Sequence, residues 1–79
     1  MSSFNDQVLG AAYRLFHQTG YPVSDSDIAR QVGEGDVSRV TETLRQLADD
    51  SYLLLEPGLG GRENVSGITR KGERRARDS

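Results

Sequence analysis

The sequence predicts an α+β, mostly helical fold, in which three helices are followed by a β-hairpin and a short C-terminal helix. Apolar residues first recur at spacings of three and four, as in helices, and Gly20 and Gly33 interrupt that pattern. After Ser51 the pattern changes to an apolar strand, a glycine-rich loop and a second strand, which is typical of a hairpin. We therefore expect a single domain over residues 1–79.

The first helix is expected over residues 4–19. Ser3 suits its N-cap, with Asp6 three residues later, and Gly20 is a natural stop. The connector at 21–23 contains a proline and is expected to be extended, so it can add a small third strand beside the hairpin. The apolar face of the helix comprises Phe4, Val8, Ala11, Ala12, Leu15 and Phe16.

The second and third helices are separated by a glycine-containing turn. The second is expected over 25–32, after Ser24 as N-cap, and the third over 37–50, after Asp36. The turn at 33–35 has two glycines able to adopt positive φ. The core stripe of the third helix comprises Val37, Val40, Leu44 and Leu47. Its outward face is expected to present Ser38, Arg39, Thr41, Glu42 and Arg45.

The hairpin is expected over residues 52–68. Its first strand is apolar, its loop contains three glycines and one arginine, and its second strand returns at 65–68. Thr69 then suits the N-cap of a last helix over 70–77.

Composition excludes several classes of protein. There is no cysteine, which excludes disulfides and thiolate metal sites. The chain shows no signal peptide, and no apolar stretch approaches the roughly 20 residues of a membrane span, so we expect a cytoplasmic protein with no membrane partner. No nucleophile–base pair, metal-ligand spacing or cofactor motif is present. We therefore expect no enzyme, no cofactor and no small-molecule substrate.

Charge is distributed unevenly along the chain. The net charge is −2, which counts against a protein that coats nucleic acid without specificity. Residues 1–61 carry four basic and nine acidic side chains, whereas residues 62–79 carry six basic and three acidic ones. Because the local field decides where an anion docks, the hairpin loop and the C-terminal segment are the favoured positions for phosphate.

The order of elements resembles the winged helix-turn-helix superfamily, and most of all the bacterial and archaeal transcription regulators of the MarR and PadR type. Three segments carry the resemblance: Asp-Ile-Ala-Arg-Gln-Val-Gly at 27–33, Val-Thr-Glu-Thr-Leu-Arg-Gln-Leu-Ala-Asp-Asp-Ser-Tyr-Leu at 40–53, and Ile-Thr-Arg-Lys-Gly at 68–72. Ser51 replaces a frequent glycine of the second segment. The long helices with which those regulators dimerise and bind effectors are absent, so neither property is carried over.

The resemblance implies that the third helix enters the major groove of double-stranded DNA. Ser38, Arg39, Thr41, Glu42 and Arg45 would then face base edges. Arg39 would bind guanine through two hydrogen bonds, and Glu42 would accept one from cytosine. The alternative is that Arg39 and Arg45 only form ion pairs with Glu42 along an exposed helix face.

The remaining candidate contacts lie in the hairpin loop and the last helix. Arg62 is expected to reach the DNA backbone, unless the neighbouring glycines only form the turn and the arginine is incidental. The basic run of the last helix is expected to hold phosphates, although such a run is more often a solvated face. The residues predicted from this run are Arg70, Lys71, Arg74 and Arg75.

Two functions therefore remain open. The first is a DNA-binding module that regulates transcription, and its small footprint would require a homodimer or a partner protein. The second is a winged helix that binds protein and not DNA, which the net acidity and Glu42 favour. An edge formed by Ser51, Tyr52 and Leu54, with Leu59 at the loop tip, is a candidate self-association surface.

Overall fold

A computed structural model describes residues 3–20 and 22–78 of the chain. Within these residues it contains four α-helices and one three-stranded antiparallel sheet, which confirms the predicted fold class. A short 3-10 turn, Leu59–Gly61, joins the last two strands. The elements are α1 (Phe4–Thr19), β1 (Val23–Ser24), α2 (Asp25–Val32), α3 (Val37–Asp49), β2 (Leu53–Pro57), β3 (Glu63–Ile68) and α4 (Arg70–Asp78).

Capping residues set the helix boundaries. The hydroxyl of Ser3 accepts from the Asp6 amide at 3.1 Å, and Ser24 accepts from the Asp27 amide at the same distance. Gly20 ends α1 with a φ of 68°, the left-handed conformation that glycine adopts without steric cost. These caps explain why α1 and α2 begin where the sequence places them.

Some local details differ from the sequence expectations, including the last strand, which begins at Glu63 and not at residue 65, and the last helix, which ends at Asp78 and not at residue 77. Of the two glycines in the turn after α2, only Gly33 has a positive φ, and Gly35 does not. Helix α3 ends at Asp49 and not at residue 50. Ser51 has a φ of 66°, so it adopts the left-handed conformation at the position where the resembled regulators often have glycine.

The sheet has the strand order β1-β3-β2, with β3 in the centre. Val23 pairs with Val65, so the connector does supply a third strand, although Tyr21 lies outside the described residues. Between β2 and β3 the register shifts after Leu54, where β3 contributes Ser66 as an extra residue. Leu53 and Val65, on either side of this shift, are both buried, so the extra residue keeps the inner side chains of the sheet in the core.

The core lies between the three-helix layer and the inner face of the sheet. Helix α1 contributes four fully buried side chains to the core. One of them is Leu9, which is not among the residues of the predicted apolar face. The fully or nearly fully buried apolar residues are Val8, Leu9, Ala11, Ala12, Val23, Ile28, Ala29, Val40, Leu44, Leu47, Leu53 and Val65. Three residues of the predicted apolar face are only partly buried and pack against this core: Phe4, Leu15 and Phe16.

The segment after β3 attaches α4 to the turn between α3 and β2. The Thr69 hydroxyl donates to the Ser51 carbonyl at 2.6 Å and accepts from the Gly72 amide at 3.1 Å. The Thr69 amide also donates to the Tyr52 carbonyl at 3.2 Å. Gly72 is buried against that same carbonyl, which leaves no room for a side chain. The Ile-Thr-x-x-Gly segment therefore holds the start of α4 against the turn between α3 and β2.

Candidate nucleic-acid interface

Helix α3 exposes one side beside the loop that joins β2 and β3. Asp36 caps the helix by accepting from the Ser38 amide at 3.1 Å, which fixes where the first turn begins. Ser38, Glu42 and Arg45 are exposed, as the sequence predicts for them. These three side chains recur at spacings of four and three and so share one face of the helix.

Thr41 corrects the sequence prediction, which placed it on the outward face. Its side chain retains only 7% exposure. The hydroxyl lies 2.6 Å from Oδ2 of Asp25 and 3.0 Å from the Val37 carbonyl oxygen. A polar residue type suggested a solvent position, but the hydroxyl is satisfied inside the protein by a carboxylate of the neighbouring helix.

Arg39 is exposed, as the sequence predicts, but its contacts are with α1 and the turn after α2 and not with the loop. Its Nη1 lies 2.9 Å from Oε2 of Glu34, and its guanidinium stacks over the Phe4 ring at 4.1 Å. The helical spacing suggested Glu42 as its partner, and that pairing is not among those of the described residues. The side chain is nevertheless 59% exposed, so the pair with Glu34 orients the guanidinium without burying it.

Arg45 connects α3 to the loop and the start of β3. Its Nε lies 3.2 Å from Oε2 of Glu63, and its Nη2 donates to the Gly61 carbonyl at 3.1 Å. The pair with Glu42 that the spacing suggested is present, at 3.9 Å. Arg45 therefore orders the loop as well as contributing charge to the exposed face.

The wing tip, residues 58–62, has two glycines whose conformation the turn requires and one arginine that contacts α2. Gly60 and Gly61 have φ values of 66° and 79°, so both glycines are required by the turn. Arg62 is not a free cation, because its Nη1 donates to the Ser26 hydroxyl and lies 3.7 Å from Oδ1 of Asp25. Its side chain remains half-exposed beside these partners.

Asp25 is a central residue that the sequence analysis did not single out. Its side chain is completely buried, and its Oδ2 accepts from the Thr41 hydroxyl and from the Glu63 amide, the latter at 3.1 Å. Burial by itself raises the pKa of this carboxyl. The hydrogen bonds from Thr41, Glu63 and Ser26, together with the Arg62 charge, outweigh burial and hold the pKa below its usual value of 3.8.

A signal for Asp25 does exist in the sequence. The Ser-Asp-Ser-Asp start of α2 offers two carboxylates to the positive end of a helix, and both Asp25 and Asp27 suit that position. Only the tertiary arrangement separates them, since Asp27 is exposed and pairs with Arg30 at 3.7 Å. Helix periodicity alone could not show which of the two turns inward.

These side chains enclose a groove of about 300 Å³ between the first half of α3 and the wing tip. Its walls are polar, and an acidic group accompanies each arginine: Glu63 and Glu42 beside Arg45, and Asp25 beside Arg62. The groove is lined by Val37, Ser38, Thr41, Glu42, Arg45, Gly60, Gly61 and Arg62. We call this surface the α3–wing groove.

The basic run of α4 lies at the other end of the hairpin. Lys71 donates to the Asp50 carbonyl at 2.8 Å, and Arg75 lies 2.7 Å from Asp6, both next to the Tyr52 ring. β2 separates this end from the wing tip by about 15 Å of extended chain. The basic run and the wing tip therefore lie at opposite ends of the hairpin.

Two arginines of the run differ from the others. Arg70 and Arg74 are exposed, and neither side chain forms an ion pair or hydrogen bond with the described residues. Arg77, by contrast, donates to the Tyr13 hydroxyl at 3.3 Å and lies 3.4 Å from Glu73. Only Arg70 and Arg74 thus match the expectation of a run open to phosphate.

The candidate self-association surface is only partly apolar. Leu54 and Leu59 are 58% and 93% exposed, as such a surface would need. Tyr52, however, is covered by the Lys71 and Arg75 cations, whose charged groups lie 4.4 and 4.7 Å from the ring centre. The apolar area is therefore limited to two separate leucines.

Residues 3–20 and 22–78 contain no group of three or more potential metal ligands. No helix in this part of the chain has the length and apolar character needed to cross a membrane.

The fold is similar to that of a solved transcription regulator. The chain matches the crystal structure of MepR, a transcription regulator of the Staphylococcus aureus multidrug efflux pump MepA, with a TM-score of 0.65 and 22% sequence identity. The match covers 94% of this chain and 53% of that chain, so this chain spans about half of MepR. The likeness is one of fold, and it confirms the winged-helix fold that the sequence predicts. No family model and no curated protein matches the chain.

Proposed function

We propose that this chain binds double-stranded DNA as a regulatory module in transcription, with the α3–wing groove as its contact surface. The observation that carries the proposal is the exposed first half of α3 held beside the wing tip. A helix of about 10–12 Å diameter fits the major groove, which is about 12 Å wide, and a neighbouring loop then reaches the backbone. The fold likeness to MepR supports the same function.

The exposed polar residues in and beside the groove have distinct roles within this proposal. Ser38 and Glu42 are exposed at the start and middle of the face and would contact base edges. Arg45 and Arg62 would contact phosphate while keeping their internal partners, since both side chains are about half-exposed. Arg39 is 59% exposed and would contact guanine from the edge of this face, and we assign it a smaller share than the sequence suggests because Glu34 already compensates its charge.

Arg70 and Arg74 form a second possible contact within this proposal. They are open to solvent but lie on α4, away from the groove. A duplex centred on the groove would have to extend or bend to meet them. Lys71 and Arg75 are already engaged by Asp50 and Asp6, so we do not assign phosphate contacts to them. Because the footprint of one chain is small, we propose that a second copy or a partner protein supplies further contacts.

The experiment that tests this function is fluorescence anisotropy with mixed-sequence duplex DNA at about 50 and 200 mM salt. Arg45→Ala is expected to weaken binding by about tenfold, because it removes a cation from the groove and loosens the wing. Arg14→Ala is the matched control, since Arg14 is exposed on α1 and has no ion pair with the described residues.

The same titrations decide between outcomes. If micromolar protein shows no binding at the lower salt concentration, the DNA proposal is wrong. If Arg14→Ala and Arg45→Ala weaken binding equally, the contact depends on net charge and not on the groove. If Arg74→Ala weakens binding to all sequences alike and reduces the salt dependence, α4 holds phosphate as well.

A protein-binding function is the second candidate, and one observation favours it. In the groove, both Arg45 and Arg62 have a carboxylate within 4 Å, so neither offers an uncompensated positive charge to phosphate. Leu59, almost fully exposed at the wing tip, would suit an apolar contact with a protein. The absence of DNA binding in the titration would favour this function.

A further inference from the structure

We infer that Asp25 is a positioning residue, whose carboxylate holds the wing tip against α2 and α3 and thereby sets the shape of the α3–wing groove. This inference rests on the proposed function, because it names the residue that keeps the groove in a form ready for DNA. It assigns Asp25 no contact with the DNA itself.

The contacts of Asp25 extend to every element around the groove. The residue is the first of α2, and its Oδ2 receives hydrogen bonds from Thr41 of α3, at 2.6 Å, and from the Glu63 amide of β3, at 3.1 Å. Its Oδ1 lies 3.7 Å from Nη1 of Arg62 at the end of the wing tip. One carboxylate therefore joins two helices and the wing.

Burial makes these contacts mutually dependent. An ionised carboxylate removed from water is costly unless hydrogen bonds and an opposite charge compensate it. No buried side-chain oxygen or nitrogen of the described residues lacks a hydrogen-bond partner, so Asp25 is fully satisfied only while the wing is in place. If the wing moved away, the carboxylate would lose its amide donor and its neighbouring cation together.

The wing tip has few other anchors. Leu59, Gly60, Gly61 and Arg62 are all exposed, so no buried apolar side chain attaches this part of the loop to the core. Its remaining attachments within the described residues are made by polar groups, chiefly Arg45 to the Gly61 carbonyl and Arg62 to Ser26. The position of the tip therefore depends on the polar network around Asp25 more than on the apolar core.

The experiment compares Asp25→Asn with Asp27→Asn, which makes the same change two residues along α2. Asp27 is a suitable control because its side chain is exposed and pairs only with Arg30 among the described residues. Amide hydrogen exchange, followed by NMR without DNA, reports the wing through Glu63 and the core through Leu44. The affinity of each variant for duplex DNA is then measured by anisotropy.

We expect Asp25→Asn to speed amide exchange at Glu63 and the wing tip by about tenfold or more. Exchange at Leu44 should change only by the factor that any loss of global stability accounts for. DNA affinity should fall by about five- to tenfold, since a mobile wing must be ordered on binding. Asp27→Asn should change neither wing exchange nor affinity by more than about twofold.

Several results would overturn the inference. Unchanged exchange at Glu63 in Asp25→Asn would show that the carboxylate does not hold the wing. An equal increase in exchange rate at Glu63 and Leu44 would show that Asp25 stabilises the whole fold and not the wing in particular. A mobile wing with unchanged DNA affinity would remove the link to binding. If wild-type protein binds no DNA but the wing is loosened selectively, the proposed function fails and the positioning role stands.

A second variant covers the case in which Asp25→Asn does not fold. Thr41→Val keeps the shape and the carboxylate while it removes the hydroxyl that donates to Oδ2. It is expected to loosen Glu63 in the same direction and by a smaller factor. Faster exchange confined to the wing would support the inference, and exchange unchanged at Glu63 would contradict it.

Discussion

At Gly72, the backbone of α4 lies directly against the turn between α3 and β2. A Cβ atom at this position would overlap the Tyr52 carbonyl oxygen and lie 2.9 Å from Cγ2 of Ile68. The carbonyl belongs to the backbone and also accepts from the Thr69 amide, so it cannot move without breaking that bond. The close contact between α4 and this turn therefore requires glycine, which has no side chain.

We therefore predict that Gly72→Ala destabilises the protein by about 2–3 kcal/mol, through overpacking that outweighs any gain in helix propensity. For a chain of this size, the melting temperature should fall by about 10 °C or more. Thermal unfolding followed by circular dichroism measures the change.

The matched control is Gly35→Ala. Gly35 has no positive φ, and a Cβ built on it would meet no atom within 4 Å. Its melting temperature should stay within about 3 °C of the original value. A Gly72→Ala protein as stable as the Gly35→Ala protein would show that α4 can shift to admit a methyl group.

Residue type alone was a weak guide to which polar side chains are buried. The sequence pattern places Thr41 on the outward face of the third helix and does not single out Asp25, because polar residues usually lie at the surface. The structure buries both, and each compensates the other through a 2.6 Å hydrogen bond. Such a pair cannot be predicted from either residue separately, since burial of one is favourable only when the other is present.

At the scale of elements, local rules predicted the helices and the hairpin well. Ser3, Ser24 and Asp36 cap helices where the sequence suggested, because capping depends on residues two or three positions away. The ion pairs that join different elements do not depend on nearby residues in the sequence. Arg45 and Glu63 are 18 positions apart, and Arg75 and Asp6 are 69 positions apart, so the sequence pattern did not reveal either pair.

The Asp6–Arg75 pair joins α1 to α4 and makes the stability of that contact depend on pH. The hydrogen bond from Arg75, with its charge and the contacts from Ser3, holds the pKa of Asp6 below its usual value of 3.8. A carboxyl whose pKa is lower in the folded state contributes stability above the unfolded value, and this is lost as pH falls through the folded value.

We predict that Asp6→Asn lowers the free energy of unfolding by about 0.5–1 kcal/mol at neutral pH, a modest amount because solvent screens the partly exposed pair. The difference from wild type should shrink as pH falls below about 4. Urea unfolding at a series of pH values measures it. Asp49→Asn, an exposed substitution at the end of α3, is the control. A deficit in Asp6→Asn that is the same at acid and neutral pH would contradict the assignment.

At the scale of the whole molecule, arginines paired with carboxylates and arginines without such partners lie in different regions. The α3–wing groove pairs its arginines with carboxylates, whereas Arg70 and Arg74 remain open on α4. A phosphate entering the groove must therefore compete with internal acids. With few uncompensated cations, we expect a shallower salt dependence than that of a strongly basic domain.

Glu42 provides the sharpest test of what enters the groove. Its side chain is 66% exposed on α3, and its pairing with Arg45 is weak, at 3.9 Å. If DNA is the ligand, this carboxylate repels phosphate, and Glu42→Gln should strengthen binding to mixed-sequence DNA by about two- to fivefold. The gain should be largest at low salt, because salt screens the repulsion.

Glu56→Gln is the matched control, since it makes the same change in net charge on β2, outside the residues that line the groove. Equal gains from both variants would attribute the effect to net charge, and the groove would lose its assigned role. A loss of affinity in Glu42→Gln for all sequences would mean that the carboxylate itself receives a hydrogen bond from the ligand. A loss confined to sequences with cytosine at one position would instead identify the base that Glu42 contacts.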